Sequence, residues 1–220
     1  MIKGTIIPLA WPETKVVHEG KWYDTPMRWV GILKNGYYTA GHAALVLVNH
    51  DTLECKYYDF GRYHTPAKQG RVRSCNTDPE LKLMTRAIIQ NNKIQNLTAI
   101  MTELQCMKAC HGDGTLWASS YDNIDLEKAY RKANEMQQKG TINYGPLDIK
   151  GTNCSRFVSQ VTKASTNCWF MKLKLTFPYT ISASPKFNIR MINQNLKFYT
   201  LTKPDSVTET PLTLIPKSVW

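Results

Sequence analysis

The feature that most constrains the fold of this chain is a pair of strand-like segments joined by a polar turn. Residues 43–48 are continuously apolar and include β-branched valines, and residues 53–60 form a second run with two adjacent tyrosines. The four residues between them, Asn-His-Asp-Thr, are typical of turns. Two strand-like runs separated in this way predict an antiparallel β-hairpin. The chain therefore contains a β-sheet.

Helical spacing of apolar residues, with start and stop signals, predicts four helices after this hairpin. They begin near residues 78, 97, 126 and 153. The first carries an Asp-Pro-Glu start signal at residues 78–80. Beyond residue 165 the pattern weakens. There we expect a strand or an apolar cover over residues 169–179, a loop over residues 181–188, and extended chain along the surface for the last twenty residues.

The charge of the chain is strongly basic. It has 28 basic and 17 acidic residues, a net charge of +11 and a pI of about 9.4. This balance permits contact with nucleic acid, an anionic lipid surface or an anionic substrate, and it is equally typical of a solvated basic surface. No nucleic-acid motif is present, and the aromatic residues do not alternate with basic ones as a stacking platform requires. We therefore expect no nucleic-acid partner.

Targeting signals are absent from the sequence pattern. No apolar run approaches the roughly 18 residues of a membrane span. The first eleven residues lack a small-residue cleavage pattern, and Pro8 and Pro12 interrupt their apolar stretch. We predict no membrane span and no signal peptide, and hence a cytoplasmic location. A leader already removed from the sequence remains the alternative.

The six cysteines are irregularly spaced, which favours free thiols in a reducing compartment over a disulfide framework. Cys106, Cys110 and His111 suggest a metal or haem site. The haem attachment motif has two residues between its cysteines, whereas this sequence has three. We predict neither a metal site nor a cofactor.

Cys154 differs from the other five cysteines in its setting, because it follows a turn-like Gly-Thr-Asn and opens an amphipathic helix. The N-terminus of a helix presents unpaired N–H groups and a partial positive charge. Such a setting lowers the pKa of a thiol, and the same N–H groups can hold a developing oxyanion. The alternative is a small apolar core residue that happens to start a helix.

A thiolate nucleophile needs a base, and His42, at the start of the first predicted strand, is the best placed of the five histidines. If the hairpin closes around residues 50–51, Asp59 lies directly opposite His42, and residues opposite one another share a face. Glu54 then points to the other face, and a slip of one residue would exchange the two carboxylates. Asp59 is therefore the first candidate to orient the imidazole, and Glu54 is the second.

These residues resemble the circularly permuted papain-like superfamily of the NlpC type, which includes YiiX-like proteins and the lecithin:retinol acyltransferase group. The resemblance rests on Gly-His-Ala-Ala-Leu at 41–45, Tyr-Tyr-Asp-Phe-Gly at 57–61 and Asn-Cys-Ser-Arg-Phe-Val at 153–158. In papain the cysteine precedes the histidine, whereas here His42 precedes Cys154. The layout is most similar to an uncharacterised bacterial branch of that superfamily.

The resemblance covers about residues 38–165 and implies an α+β fold, in which a helix bearing the nucleophilic cysteine packs against an antiparallel sheet. It implies a catalytic domain over residues 1–165, with residues 166–220 packed on it as an extension. The implied chemistry is thiol hydrolysis or acyl transfer at an amide or ester bond of a peptide, lipid or other acyl substrate. The sequence does not indicate an oligomeric state.

The resemblance also implies roles for particular residues. Cys154 would attack the carbonyl, His42 would act as acid and base, and Asp59 would fix the imidazole. Four further residues are candidates for oxyanion or substrate contacts: Asn153, Tyr144, Arg62 and Arg73. For the two arginines, the alternative is a solvated basic surface, and for Asp59 it is a salt bridge with Arg62 or Arg73. For the whole chain, the alternatives are a non-catalytic binding module on the same fold or a basic protein that binds an anionic surface or nucleic acid.

Overall fold

The computed structural model describes residues 2–17, 33–34, 37–38, 41–145, 148, 150–178, 183–202 and 207–211. In those ranges the chain combines an antiparallel sheet with helices, which confirms the α+β class. The strands are β1 (Lys3–Trp11), β2 (Val16–Val17), β3 (Leu33–Lys34), β4 (Tyr37–Tyr38), β5 (His42–Asn49), β6 (Cys55–Gly61), β7 (Gln69–Ser74), β8 (Ile89–Gln90), β9 (Lys93–Ile94), β10 (Leu116–Ala118), β11 (Tyr121–Asp125), β12 (Ile142–Asn143), β13 (Lys197–Leu201) and β14 (Val207–Pro211). The helices are α1 (Leu97–Cys106), α2 (Leu126–Gln138), α3 (Cys154–Ser165), α4 (Trp169–Thr176) and α5 (Pro185–Met191).

The main sheet is centred on β1 and β5. Its strands follow the spatial order β12-β7-β6-β5-β1-β10-β13-β14, and β11 also pairs with β1. β5 lies along one edge of β1, and β10 and β11 share the other edge. The predicted hairpin is therefore present as β5 and β6 near the middle of the sheet, where both strands have neighbours on each side.

The register of this hairpin differs by two residues from the predicted one. Ala44, rather than His42, lies opposite Asp59. The turn is longer than expected. The Asn49 side-chain oxygen accepts hydrogen bonds from the backbone N–H groups of Asp51 and Thr52, and Leu53 adopts a left-handed conformation. Side chains alternate along a strand, so a shift of two residues preserves the face on which each side chain lies. Asp59 therefore remains on the same face as His42.

Both faces of the sheet are covered, which explains the continuous apolar run of β5. One set of alternate β5 residues packs with α2 and α3: Ala43, Leu45 and Leu47. The other set packs with α1 on the opposite face: Ala44, Val46 and Val48. All six side chains are fully buried. A strand buried on both faces has no solvent-facing side to carry polar residues.

Three of the four predicted helices are confirmed as α1, α2 and α3, and the first is wrong. Only a single 3-10 turn forms there, Pro79–Leu81. The Asp78 carboxylate does not cap a helix, because it binds the guanidinium of Arg71 through two hydrogen bonds of 2.7 and 2.6 Å. The Glu103 carboxylate accepts from the backbone N–H groups of residues 84–85, which a helix would use internally. No helix in the described ranges is long and apolar enough to cross a membrane.

The C-terminal region is more regular than predicted. The expected strand or cover at 169–179 contains the helix α4, and the expected loop at 181–188 contains the start of α5, which Ser184 caps. The expected extended chain is present as β14, while residues 203–206 and 212–220 lie outside the described residues. β13 pairs with β10, and α5 packs against β1. The proposed boundary at residue 165 stays a prediction.

Candidate functional site

The Cys154 thiol lies at the first position of α3, at the end of the sheet where β5 begins. Its sulfur accepts a hydrogen bond from the backbone of Ala43. Asn153 caps the helix, and its side-chain oxygen accepts from the N–H of Arg156 at 2.8 Å. Cys154 is 6% exposed. The structure therefore gives this thiol the helix N-terminal setting predicted from the sequence.

His42 is brought to this thiol by the way the chain enters β5. Gly41 has a φ of 66°, and a Cβ there would lie 3.0 Å from the carbonyl oxygen of Trp11. Both facts favour glycine at this position. The imidazole ring of His42 stacks on the indole of Trp11, with 5.8 Å between ring centroids and 24° between planes. From that position the imidazole hydrogen-bonds the sulfur of Cys154.

Asp59 is the carboxylate next to the imidazole. Its Oδ2 lies 3.4 Å from Nε2 of His42. Arg73 donates to both carboxylate oxygens, from Nε at 3.0 Å and from Nη2 at 2.6 Å, and the hydroxyls of Tyr57 and Tyr63 donate at 3.0 and 3.1 Å. Asp59 is 0% exposed. Because Nε2 faces the carboxylate, Nδ1 is the imidazole nitrogen left for the thiol.

Arg73 is a buried counter-ion rather than a surface group. It is 2% exposed, and its guanidinium also donates to the carbonyl of Ala109 at 2.9 Å. The guanidinium carbon lies 3.3 Å from the centre of the Tyr63 ring. A buried carboxylate stays ionised only when such partners satisfy it. Arg73 therefore stabilises the ionised form of Asp59, the carboxylate that faces His42.

The ionisation of the three groups follows from these contacts. Burial disfavours the charged form of each one. For Asp59, the hydrogen bonds from His42 and Arg73 outweigh burial and lower the pKa of the carboxyl. For His42, the hydrogen bonds to Asp59 and Cys154 outweigh burial and raise the pKa of the imidazole to about 9. For Cys154, the hydrogen bond from His42 outweighs burial and lowers the pKa of the thiol. Both shifts, a raised pKa for the imidazole and a lowered pKa for the thiol, favour transfer of the thiol proton to His42.

Two other buried thiols, Cys55 and Cys110, have a raised pKa. All six cysteines are free. Burial, reinforced by the nearby Asp59 charge, raises the pKa of Cys110 to about 12, and burial beside Glu103 raises the pKa of Cys55 to about 12. Among the residues that the structure describes, no group of three or more His, Cys, Asp or Glu side chains could hold a metal ion. The distinguishing property of Cys154 is therefore its imidazole partner and not its burial.

The remaining predicted site residues divide into two groups. Glu54 is exposed and follows the hairpin turn, at the opposite end of β6 from the thiol, so its candidacy as the orienting carboxylate is wrong. Arg73 is buried and pairs with Asp59, which is the alternative considered for that carboxylate, so Arg73 is not placed to contact a substrate. The guanidinium of Arg62 lies 5.4 Å from the centre of the Tyr144 ring, and that ring stacks on Phe60 at 5.7 Å.

Sequence reasoning missed Tyr63, and it did not link His111 to the Cys154 site. The hydroxyl of Tyr63 reaches both Asp59, at 3.1 Å, and Nε2 of His42, at 3.4 Å. Its ring stacks on the imidazole of His111, with 5.4 Å between centroids. The signal was Gly61, because a Cβ there would lie 2.4 Å from the Tyr63 ring. A glycine two residues before the tyrosine lets the ring fold back over the strand end.

Comparisons with known proteins were made for both sequence and structure. A family described as type VI secretion system effector, TseH-like, matches residues 6–169. The crystal structure of a type VI secretion system effector, TseH, is similar with a TM-score of 0.60 and 17% sequence identity, over 94% of this chain and 98% of that chain. That identity supports similarity of fold alone. No curated protein matches the chain. Because the family match spans well over half of the sequence, the chain belongs to the TseH-like family of type VI secretion system effectors.

Proposed function

We propose that this chain is a thiol hydrolase or acyltransferase that acts on an amide or ester bond. The observation that carries the proposal is the hydrogen-bonded series from Cys154 through His42 to Asp59, which begins at a helix N-terminus. A nucleophile, a base and a group that orients the base form the arrangement used for acyl transfer. The resemblance to permuted papain-like enzymes, in which the histidine precedes the cysteine, supports the same reading.

In the first half-reaction, the Cys154 thiolate attacks the carbonyl carbon of the substrate and forms a C–S bond, while the carbonyl electron pair moves to oxygen. The imidazolium of His42 then donates its proton to the leaving nitrogen or oxygen, the C–N or C–O bond breaks, and a thioester remains. In the second half-reaction, neutral His42 takes a proton from water or from an acceptor hydroxyl or amine. That nucleophile attacks the thioester, the C–S bond breaks, and the thiolate and imidazolium are restored.

The first turn of α3 supplies the group best placed to stabilise the oxyanion. The N–H groups at the start of a helix have no acceptor within the helix. The Asn153 side chain occupies the N–H of Arg156, so the N–H of Cys154 is not used by the cap and can donate to the oxyanion. Asn153 thus acts by fixing the helix end. Arg62 and Tyr144 stay predicted substrate contacts.

Selective alkylation tests this proposal without a known substrate. An ordinary thiol with a pKa of about 8.5 is roughly 1% thiolate at pH 6.5. We expect iodoacetamide at pH 6.5 to modify Cys154 faster than Cys75, Cys106 and Cys168, although all three are more exposed than Cys154. Peptide mapping by mass spectrometry gives the rate at each cysteine. His42→Ala should slow the modification of Cys154 at least tenfold, whereas the matched variant His64→Ala, at an exposed histidine, should not.

Two outcomes contradict the proposal. Uniform modification in order of exposure would show that Cys154 is an ordinary thiol and would support the non-catalytic binding module instead. Equal rates at Cys154 in the two histidine variants would show that His42 does not activate it. Circular dichroism and thermal unfolding of both variants exclude a loss of fold as the cause.

A further inference from the structure

The net positive charge of the chain is concentrated in its C-terminal third. Between Asp148 and Asp205 there is no acidic residue, so the segment 149–204 carries positive charge only. Its nine basic residues are Lys150, Arg156, Lys163, Lys172, Lys174, Lys186, Arg190, Lys197 and Lys203. Lys197 is paired with Glu209 at 2.6 Å, and an excess of positive charge such as this segment carries attracts anionic partners over about a Debye length.

The helix α4 presents large apolar side chains to solvent in the middle of this segment. Trp169 is 72% exposed, Phe170 50% and Leu173 48%, and Phe177 at the end of the helix is 73% exposed. On its inner face, Met171 and Leu175 are buried against α3 and α5. The helix therefore packs on the domain through one face, and its exposed aromatic side chains lie outside that packed face.

Two lysines border the exposed apolar stripe. At about 100° per residue, Trp169, Phe170 and Leu173 occupy roughly 100° of the helix surface, with Lys174 beyond one border and Lys172 beyond the other. Both lysines are exposed, and neither forms an ion pair with an acidic residue in the described part of the chain. The ammonium of Lys174 lies 4.1 Å from the centre of the Phe170 ring. Apolar and cationic groups thus face solvent together.

The helix before α4 shows the same excess of positive charge. Burial together with the charges of Arg156 and Lys132 lowers the pKa of Lys163, in the last turn of α3. Like charges that repel one another are relieved when an anionic surface approaches. Three residues separate the end of α3 from the start of α4, whereas Cys154 lies at the other end of α3. The exposed stripe is thus carried by an element other than those that hold the thiol, the imidazole and the carboxylate.

We propose that α4 is a docking surface for an anionic lipid bilayer. A short helix with Trp, Phe and Leu on one side and lysines beside them matches the chemistry of an interfacial helix, whose rings enter the headgroup region while the lysines reach lipid phosphates. Each lysine near such a surface adds electrostatic attraction. Nucleic acid fits less well, because the exposed leucine and phenylalanines would gain little from a phosphate backbone. The proposal does not depend on the acyl-transfer chemistry at Cys154.

Sedimentation with lipid vesicles tests the proposal on the full chain. We expect binding to vesicles containing phosphatidylglycerol, little binding to vesicles of phosphatidylcholine alone, and a decrease as salt is raised. Lys172→Glu/Lys174→Glu should weaken binding about tenfold or more, since each substitution replaces attraction to the anionic surface with repulsion. Trp169→Ser/Phe170→Ser should also weaken it about tenfold, because the apolar contact is lost.

Matched variants elsewhere separate this helix from the total charge. Lys82→Glu/Lys93→Glu makes the same charge change at exposed lysines, and Met84→Ser/Ile88→Ser removes side chains that are 74% and 52% exposed. Neither pair should weaken vesicle binding more than about twofold. Equal losses in the α4 variants and the matched variants would show that only net charge acts, and would overturn the proposal. Absence of binding to anionic vesicles would overturn it as well, and would leave a protein partner as the occupant of the stripe.

Discussion

The two ends of β5 carry similar side chains in different arrangements. At its first residue, His42 lies between the Cys154 thiol and the Asp59 carboxylate. Just beyond its last residue, His50 lies with a hydroxyl and a carboxylate, because Thr5 Oγ1 is 2.8 Å from Nε2 of His50 and donates to Asp122 at 2.7 Å. Each end thus combines an imidazole, a carboxylate and a potentially nucleophilic atom, yet only the first fits an acyl-transfer site.

The difference lies in which group occupies the middle position. At the first end the imidazole is in the middle, so the carboxylate stabilises its positive charge. At the second end the Thr5 hydroxyl is in the middle, and Nδ1 of His50 and Oδ2 of Asp122 have no hydrogen-bond partner among the described residues. Burial, with a contribution from Lys3, lowers the pKa of His50, and burial raises the pKa of Asp122. The second end therefore favours neutral groups.

A buried arginine accounts for much of this contrast. Arg73 supplies the positive charge that keeps Asp59 ionised, and no arginine is within hydrogen-bonding distance of Asp122 in the described part of the chain. At His50, the charges of Asp122 and Asp51 raise the pKa of the imidazole by less than burial lowers it. The comparison teaches that residue types alone do not define such a site. The order of contacts and the counter-ion of the carboxylate decide it.

The largest expected difference between the two ends is the loss of stability when the carboxylate charge is removed. Asp59→Asn should lower the free energy of unfolding by about 3–5 kcal/mol, because it leaves the guanidinium of Arg73 buried without its counter-ion. Asp122→Asn should change it by less than about 1 kcal/mol, because the amide oxygen can still accept from Thr5. Urea unfolding monitored by circular dichroism measures both values.

A double variant shows whether the loss at Asp59 is electrostatic. Asp59→Asn/Arg73→Met removes both charges and should recover more than half of the stability lost in Asp59→Asn, while alkylation of Cys154 at pH 6.5 stays slow. If Asp59→Asn and Asp122→Asn were equally stable, the contrast between a carboxylate with a buried counter-ion and one without would be contradicted.

The next effect is a pH dependence of opposite sign at the two histidines. The pKa of His42 is about 9 in the folded chain and 6.5 in the unfolded chain, so its stabilisation is complete below pH 6.5 and is lost as the pH rises through 9. Relative to His42→Asn, the unmodified chain should lose up to about 3 kcal/mol over that range. The pKa of His50 is lowered, so relative to His50→Asn the chain should lose stability as the pH falls below 6.5. Urea unfolding between pH 5.5 and 9.5 measures both slopes, and slopes of the same sign would contradict the assignment.

The sequence predicted those parts of the site that depend on local structure. The start of α3 at Cys154 and the start of β5 at His42 follow from capping and from an apolar run, which involve neighbouring residues. Asp59 was assigned to the correct face although the register was wrong by two residues, because strand geometry repeats every two residues. The resemblance to permuted papain-like enzymes links the same three residues.

The parts that the sequence could not predict depend on distant partners. The expected helix after residue 78 fails because Arg71 and Glu103 bind groups that the helix would need. Glu103 lies in α1, and nothing near residue 84 in the sequence indicates that contact. The role of Arg73 as a buried counter-ion was considered only as an alternative, since charge alone does not distinguish an exposed arginine from a buried one.

The smallest expected effect concerns the hydroxyl at each end. Tyr63→Phe removes one of several donors to Asp59 and should cost about 1 kcal/mol of stability. Since Arg73 still holds the carboxylate, alkylation of Cys154 at pH 6.5 should change less than about threefold. Thr5→Val removes the hydroxyl that links His50 to Asp122 and should cost more, about 2 kcal/mol, while alkylation of Cys154 stays unchanged. If Tyr63→Phe slowed alkylation as strongly as His42→Ala, the Tyr63 hydroxyl rather than the Arg73 guanidinium would be the group that positions Asp59 against the imidazole.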